Sequence, residues 1–112
     1  MWLITTIGFF SVVQKPGDTI LTVRARVADD LDRLREQYMP TLSATRANEG
    51  TDYPYRATID HAAFAQGLAQ LTQAIDYSNF KDEVARALGH RRAHIYHKVW
   101  HSLFELQRGT EN

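Results

Sequence analysis

The sequence predicts an α+β domain, with its strands concentrated in the first half and helices filling the last third. Three observations predict it. Residues 2–14 are dense in β-branched and aromatic side chains, which suit a strand. Residues 19–27 (TILTVRARV) alternate between apolar and polar, the two-residue period of a half-buried strand. From residue 60 onward, apolar side chains recur at spacings of three and four, the period of a helix.

The first strand spans residues 2–14 and is apolar on both faces, as expected of a central strand covered on both sides. Gly8 in its middle marks a bulge or a close backbone approach. Pro16 and Gly17 then supply the fixed and the positive φ of a turn, so a hairpin follows into the second strand, residues 19–27. There Leu21, Val23, Ala25 and Val27 form the buried set, and Thr22, Arg24 and Arg26 form the open one. Ala28-Asp29-Asp30 starts a helix with an Asp as N-cap and acidic charge near the positive end of the dipole. Leu31, Leu34 and Tyr38 form its apolar face, and Pro40 closes it. Residues 40–52 read as a long polar loop, and segments of that length are usually mobile or functional.

Tyr53–Ile59 reads as the third strand, with Tyr53, Tyr55, Ala57 and Ile59 on one face and Arg56 and Thr58 on the other. Asp60 caps a second helix with Phe64, Leu68, Leu71 and Ile75 as its stripe; Gly67 inside it implies a closely packed neighbour. Ser78 starts a third helix (Phe80, Val84, Ala87, Leu88), which Gly89 ends or kinks. Residues 90–107 form the last, with Ile95, Tyr96, Val99, Leu103 and Leu106 apolar. The order is ββαβααα. The expected topology is a three-stranded sheet in the order 2-1-3, its second and third strands parallel through the first helix. That is a split β-α-β unit, half of a ferredoxin-like fold.

A chain of 112 residues sits near the commonest domain size, so a single domain over residues 1–112 is expected. Its 44% hydrophobic and 23% charged residues are those of an ordinary globular protein. The absence of cysteine excludes a disulfide scaffold, a thiolate zinc site, an iron–sulfur cluster and a Cys nucleophile. It fits a reducing cytoplasm. The apolar start lacks a basic residue ahead of it and a small-residue cleavage site, and twelve residues are too few to span a bilayer. We therefore expect a cytoplasmic protein with no membrane attachment. With 13 basic and 13 acidic residues, the balance argues against a grip on duplex nucleic acid by overall charge. Anion binding would have to come from local segregation. No motif implies a cofactor.

The strings WLITTIGFFSVVQK, TDYPYRA and IDYSNFK make the chain similar to a set of short bacterial proteins over nearly its whole length. That resemblance implies no activity and transfers no catalytic residue.

Two side-chain groups carry chemistry. Arg24 and Arg26 share one face of the second strand by alternation. Arg56 is out of phase with the apolar set of the third. All three are expected on the face opposite the first helix, where guanidinium forks can bind carboxylate or phosphate, with Phe10 as a stacking surface. A nucleotide or single-stranded nucleic acid is the anionic ligand such a face suits. The competing reading is an ordinary solvated or helix-covered face.

The second group is His90, His94, His97 and His101, which fall on one helix face and are candidate metal ligands. Only His61 or a distant carboxylate could complete a site. Arg92–His97 also resembles, over six residues, the RNase motif of the all-helical HEPN domains, a fold the strands contradict. Arg92 itself falls on the apolar side, where pairing with Asp76 or Asp82 is expected.

The leading expectation is a non-enzymatic binding or interaction module using the arginine face. The alternatives are a small metal-dependent or RNase-like enzyme built on the histidine helix, and a homodimer burying the apolar strand and exposed aromatics (Trp2, Tyr53, Tyr77, Trp100).

Overall fold

The computed structural model describes residues 1–50 and 52–108. They divide into two compact units, Met1–Asp76 and Tyr77–Asn112, each described by itself.

The first unit holds the sheet, and its opening strand is really two. The Thr5 hydroxyl donates to Gly8 O at 2.7 Å and accepts from Gly8 N at 3.1 Å and Ile7 N at 3.2 Å. This side-chain turn reverses the chain between β1 (Trp2–Thr5) and β2 (Gly8–Val13), which pair antiparallel. β3 (Leu21–Ala25) follows across the Pro16–Gly17 turn, and β4 (Tyr55–Ile59) lies beside it. The result is a four-stranded antiparallel sheet in the order β1-β2-β3-β4. The three-stranded 2-1-3 sheet and its ferredoxin-like split β-α-β unit are therefore corrected, because β3 and β4 are direct antiparallel neighbours.

The long loop explains the difference. α1 (Ala28–Gln37) carries the chain back along the sheet, and residues 38–50 carry it forward again before β4 begins. On that second traverse Ser43 N donates to Thr58 O at 2.9 Å. Arg46 and Arg56 exchange backbone bonds of 2.8 and 3.0 Å, so the loop covers the outer edge of β4.

Alternation places Phe10, Val12, Val23, Ala25, Ala57 and Ile59 on the helix side of the sheet. They pack with Leu31, Leu34, Met39, Leu42 and Phe64 of α1, the loop and α2 (His61–Gln73). Gly67 is where α2 meets the end of α1, since a Cβ there would lie 2.5 Å from Met39 Cγ. Asp60 caps α2 as expected, accepting from Ala63 N at 2.7 Å.

The α1 start is a correction. Val27 occupies the N-cap position without a side-chain cap, and Asp30 turns inward to full burial. Its carboxylate accepts from Phe9 N at 3.0 Å and is ion-paired with Arg33. Arg33 Nε in turn donates to Ile7 O at 2.8 Å, which ties the helix to the first turn. Gly8 is the close approach anticipated there: its φ is +152°, and a Cβ would stand 2.5 Å from Asp30 Cγ.

The second unit is helical. Asn79, rather than Ser78, caps α3 (Phe80–Leu88), accepting from Asp82 N at 2.9 Å. Gly89 at φ 97° separates it from α4 (His90–Leu103), and α5 (Glu105–Arg108) follows Phe104. Val84 and Ala93 are buried where α3 meets α4, and Phe80 stacks on Tyr96 with centroids 6.0 Å apart. Ile95, Leu103 and Leu106 of the expected apolar stripe are exposed. No helix among the described residues is long and apolar enough to cross a membrane.

Candidate functional site

Register, on top of alternation, organises the arginine face. Trp2 lies opposite Ser11, Ser11 opposite Arg24, and Arg24 opposite Arg56, with Arg46 bridged to Arg56. A single row thus crosses the sheet from one edge to the other, on the side away from the core. Strands are ~4.8 Å apart, so the row is roughly 19 Å long.

Tyr53 is the hub of this face. It does not join β4, and its buried ring lies 4.7 Å from the guanidinium carbon of Arg24 and 4.7 Å from that of Arg26. Such cation–π contacts fix two flexible side chains on one rigid ring. Arg26 Nη1 donates to Asp52 O at 2.6 Å. Arg56 Nε donates to Tyr53 O at 3.3 Å, with its Nη2 3.9 Å from Asp52 Oδ1. Arg24 Nη2 donates to Ser11 Oγ at 2.7 Å, while its Nε is buried with no hydrogen-bond partner among the described residues.

Among the described residues, two carboxylates accompany these cations. Asp52 sits beside Arg56, and Glu49 bonds Arg46 Nε at 3.0 Å. Four guanidiniums against two carboxylates leave the face with surplus positive charge.

Phe10 does not belong here. It is 1% exposed and lies in the core on the opposite side of the sheet. The neighbouring Phe9 takes the place expected for it. Trp2 meets Phe9 edge-on at 5.5 Å, and Phe9 leans on Tyr53 at 6.3 Å. Trp2, at 66% exposure, is the ring of this group most open to solvent. Arg24, Arg26 and Arg56 are brought together as expected. Tyr53, Ser11, Arg46, Phe9 and Trp2 complete the cluster and were legible in the sequence only as separate residues. Tyr53 in particular reads there as a core-facing strand position.

The histidine helix forms no comparable site. His90, His94 and His101 are exposed, and His97 stacks on Trp100 with centroids 5.4 Å apart. No group of three or more His, Cys, Asp or Glu side chains among the described residues is arranged to hold a metal ion. Arg92 and His97, five residues apart, stand about 140° apart around the helix axis and share no face. The Arg92 guanidinium lies 5.9 Å from the centre of the Tyr96 ring.

A groove of about 330 Å³ separates the end of α1 from α2, lined by Tyr38, Met39, Gln66, Gly67 and Gln70 among others. Glu36 is the one charged side chain on its wall among the described residues. No family model, curated protein or solved structure matches the chain.

Proposed function

We propose that the protein is a non-enzymatic binding module whose sheet face recognises a phosphate-bearing ligand through Arg24, Arg26, Arg46 and Arg56. The observation that carries this reading is the convergence of Arg24 and Arg26 on Tyr53, with Arg56 beside them. Guanidiniums already held by a ring and by backbone carbonyls lose little side-chain entropy when an anion arrives, which favours affinity. Their planar forks match phosphate oxygens two at a time. Trp2, at the end of the row, offers an exposed ring for a base. A single-stranded oligonucleotide uses both features, and the salt dependence of its binding counts the phosphates engaged.

The test is fluorescence anisotropy with a labelled short single-stranded oligonucleotide, against wild type and R24Q/R26Q/R56Q. Wild type is expected to bind, with affinity falling as salt rises. The triple variant is expected to keep its circular dichroism and to lose that binding. A folded triple variant that binds equally well, or one that simply unfolds, overturns the proposal, because the arginines would then be idle or structural. Competition by inorganic phosphate and by a mononucleotide shows whether the base contributes. A wild-type protein that binds none of these probes also refutes the reading.

A further inference from the structure

The two edges of the sheet are finished differently. The outer edge of β4 is paired by the loop, through Ser43, Arg46 and Glu49. Among the described residues, no backbone pairs with the outer edge of β1. Met1 and Val12 exchange both backbone bonds, 3.0 and 2.8 Å, so by alternation the pairs at Leu3 and Thr5, two and four residues along, are also the ones bonded to β2. The intervening residues, Trp2 and Ile4, must aim their N–H and C=O groups away from the sheet.

Natural sheets protect a bare edge with charge, proline or a bulge. β1 has none of these, and no charged side chain occurs between Met1 and Gln14. Trp2 on this edge is largely exposed.

We infer that β1 is a self-association edge, pairing antiparallel with β1 of a second copy of this chain. A two-fold axis through Leu3 sets Trp2 opposite the partner's Ile4, and Ile4 opposite the partner's Trp2. Those are the two residues with outward-facing backbone groups. The register therefore closes four hydrogen bonds, two for each pair, and leaves none of those outward groups open. Directly opposed side chains share a face, so each Trp2 ring covers an Ile4, and the two Leu3 side chains meet on the core side. No charged side chain on the strand opposes bringing two identical edges together, and the antiparallel register sets the two Met1 ammonium groups at opposite ends of the pair. The product is one continuous eight-stranded antiparallel sheet. A second copy fits this edge better than a foreign peptide because the strand is its own complement in length, polarity and register. Four hydrogen bonds and two ring contacts make a weak contact, so it belongs to the micromolar-to-millimolar range.

Sedimentation velocity across that range tests the inference without any ligand. Wild type is expected to move from 12.8 kDa towards twice that mass as concentration rises. Ile4→Pro removes one outward N–H but none of the groups bonded to β2, and Trp2→Lys places charge on the edge. Both variants are expected to stay at 12.8 kDa with unchanged circular dichroism. Wild type that remains monomeric overturns the inference, as do folded variants that associate as wild type does. If Ile4→Pro fails to fold, Trp2→Lys decides alone, together with amide exchange in wild type. Exchange at Trp2 and Ile4 must slow as concentration rises, and exchange independent of concentration refutes the pairing.

Discussion

Gly8→Ala should be among the costliest single-methyl additions in the first unit. Two separate effects meet there. The φ of +152° is one that side chains other than hydrogen rarely adopt, and a left-handed backbone costs an L-residue about 1–2 kcal/mol. The added Cβ would also stand 2.5 Å from Cγ and 2.6 Å from Cβ of Asp30, a contact no real side chain sustains. Asp30 is buried and cannot swing away without releasing Phe9 N–H, and an orphaned buried donor costs about 1–3 kcal/mol more. The sum is about 2–5 kcal/mol. Gly17→Ala is the control: its φ is +84°, but nothing lies within 4 Å of the new Cβ, so only the backbone cost applies. Urea unfolding followed by tryptophan fluorescence separates the two. A Trp100→Phe background leaves Trp2 as the only tryptophan and so reports on the first unit. The reasoning is refuted if Gly8→Ala loses no more stability than Gly17→Ala.

Gly67→Ala sets a helix-propensity gain of about 1 kcal/mol against an overpacking cost of about 1–3 kcal/mol at Met39 and Tyr38 O. A net loss in urea midpoint is expected, and a gain would mean the α1–α2 contact is softer than it looks. Asp60→Ala removes the cap on Ala63 N and should cost about 1 kcal/mol by the same assay. In the second unit, the hydrogen-bonded Arg86 guanidinium holds the Glu83 carboxyl below its ordinary value of 4.5, against a weaker opposing push from burial. A depressed carboxyl stabilises the fold above its unfolded value, and that support is lost as pH falls through the folded one. Acid titration of the helical circular dichroism should therefore show a loss below pH 4.5 that Glu83→Gln reduces, and an unchanged acid limb would exclude the pair as its source.

Where side-chain period alone decides, the sequence was readable. Arg24, Arg26 and Arg56 fall on one face because alternation permits nothing else, and Asp60 and Gly67 do what their residue types suggest. The turn at Thr5 was hidden because a β-branched run of residues conceals a reversal made by a hydroxyl rather than by Gly or Pro. That one turn changes the strand count. Phe10 lies on the core side and not with the arginines because the face a residue occupies depends on strand register, which neighbouring chain segments set. Asp30 read as a cap because burial of a carboxylate is visible only through partners such as Phe9 N and Arg33. The whole hub at Tyr53 depends on where a long loop returns, and composition does not encode that.

The same loop bears on the order in which the sheet assembles. β1 and β2 meet across two residues and β2 and β3 across seven, whereas β3 and β4 meet only after twenty-nine. Closing the longest of these connections costs about 1 kcal/mol more chain entropy than closing the seven-residue one. The three-stranded meander can form from local contacts, and β4 docks afterwards together with the loop that borders it. Tyr53 and Arg56 therefore reach Arg24 and Arg26 only in that late step. The arginine cluster is a product of the last event in folding, so any change that slows the return of β4 leaves a chain with a formed meander and no assembled site.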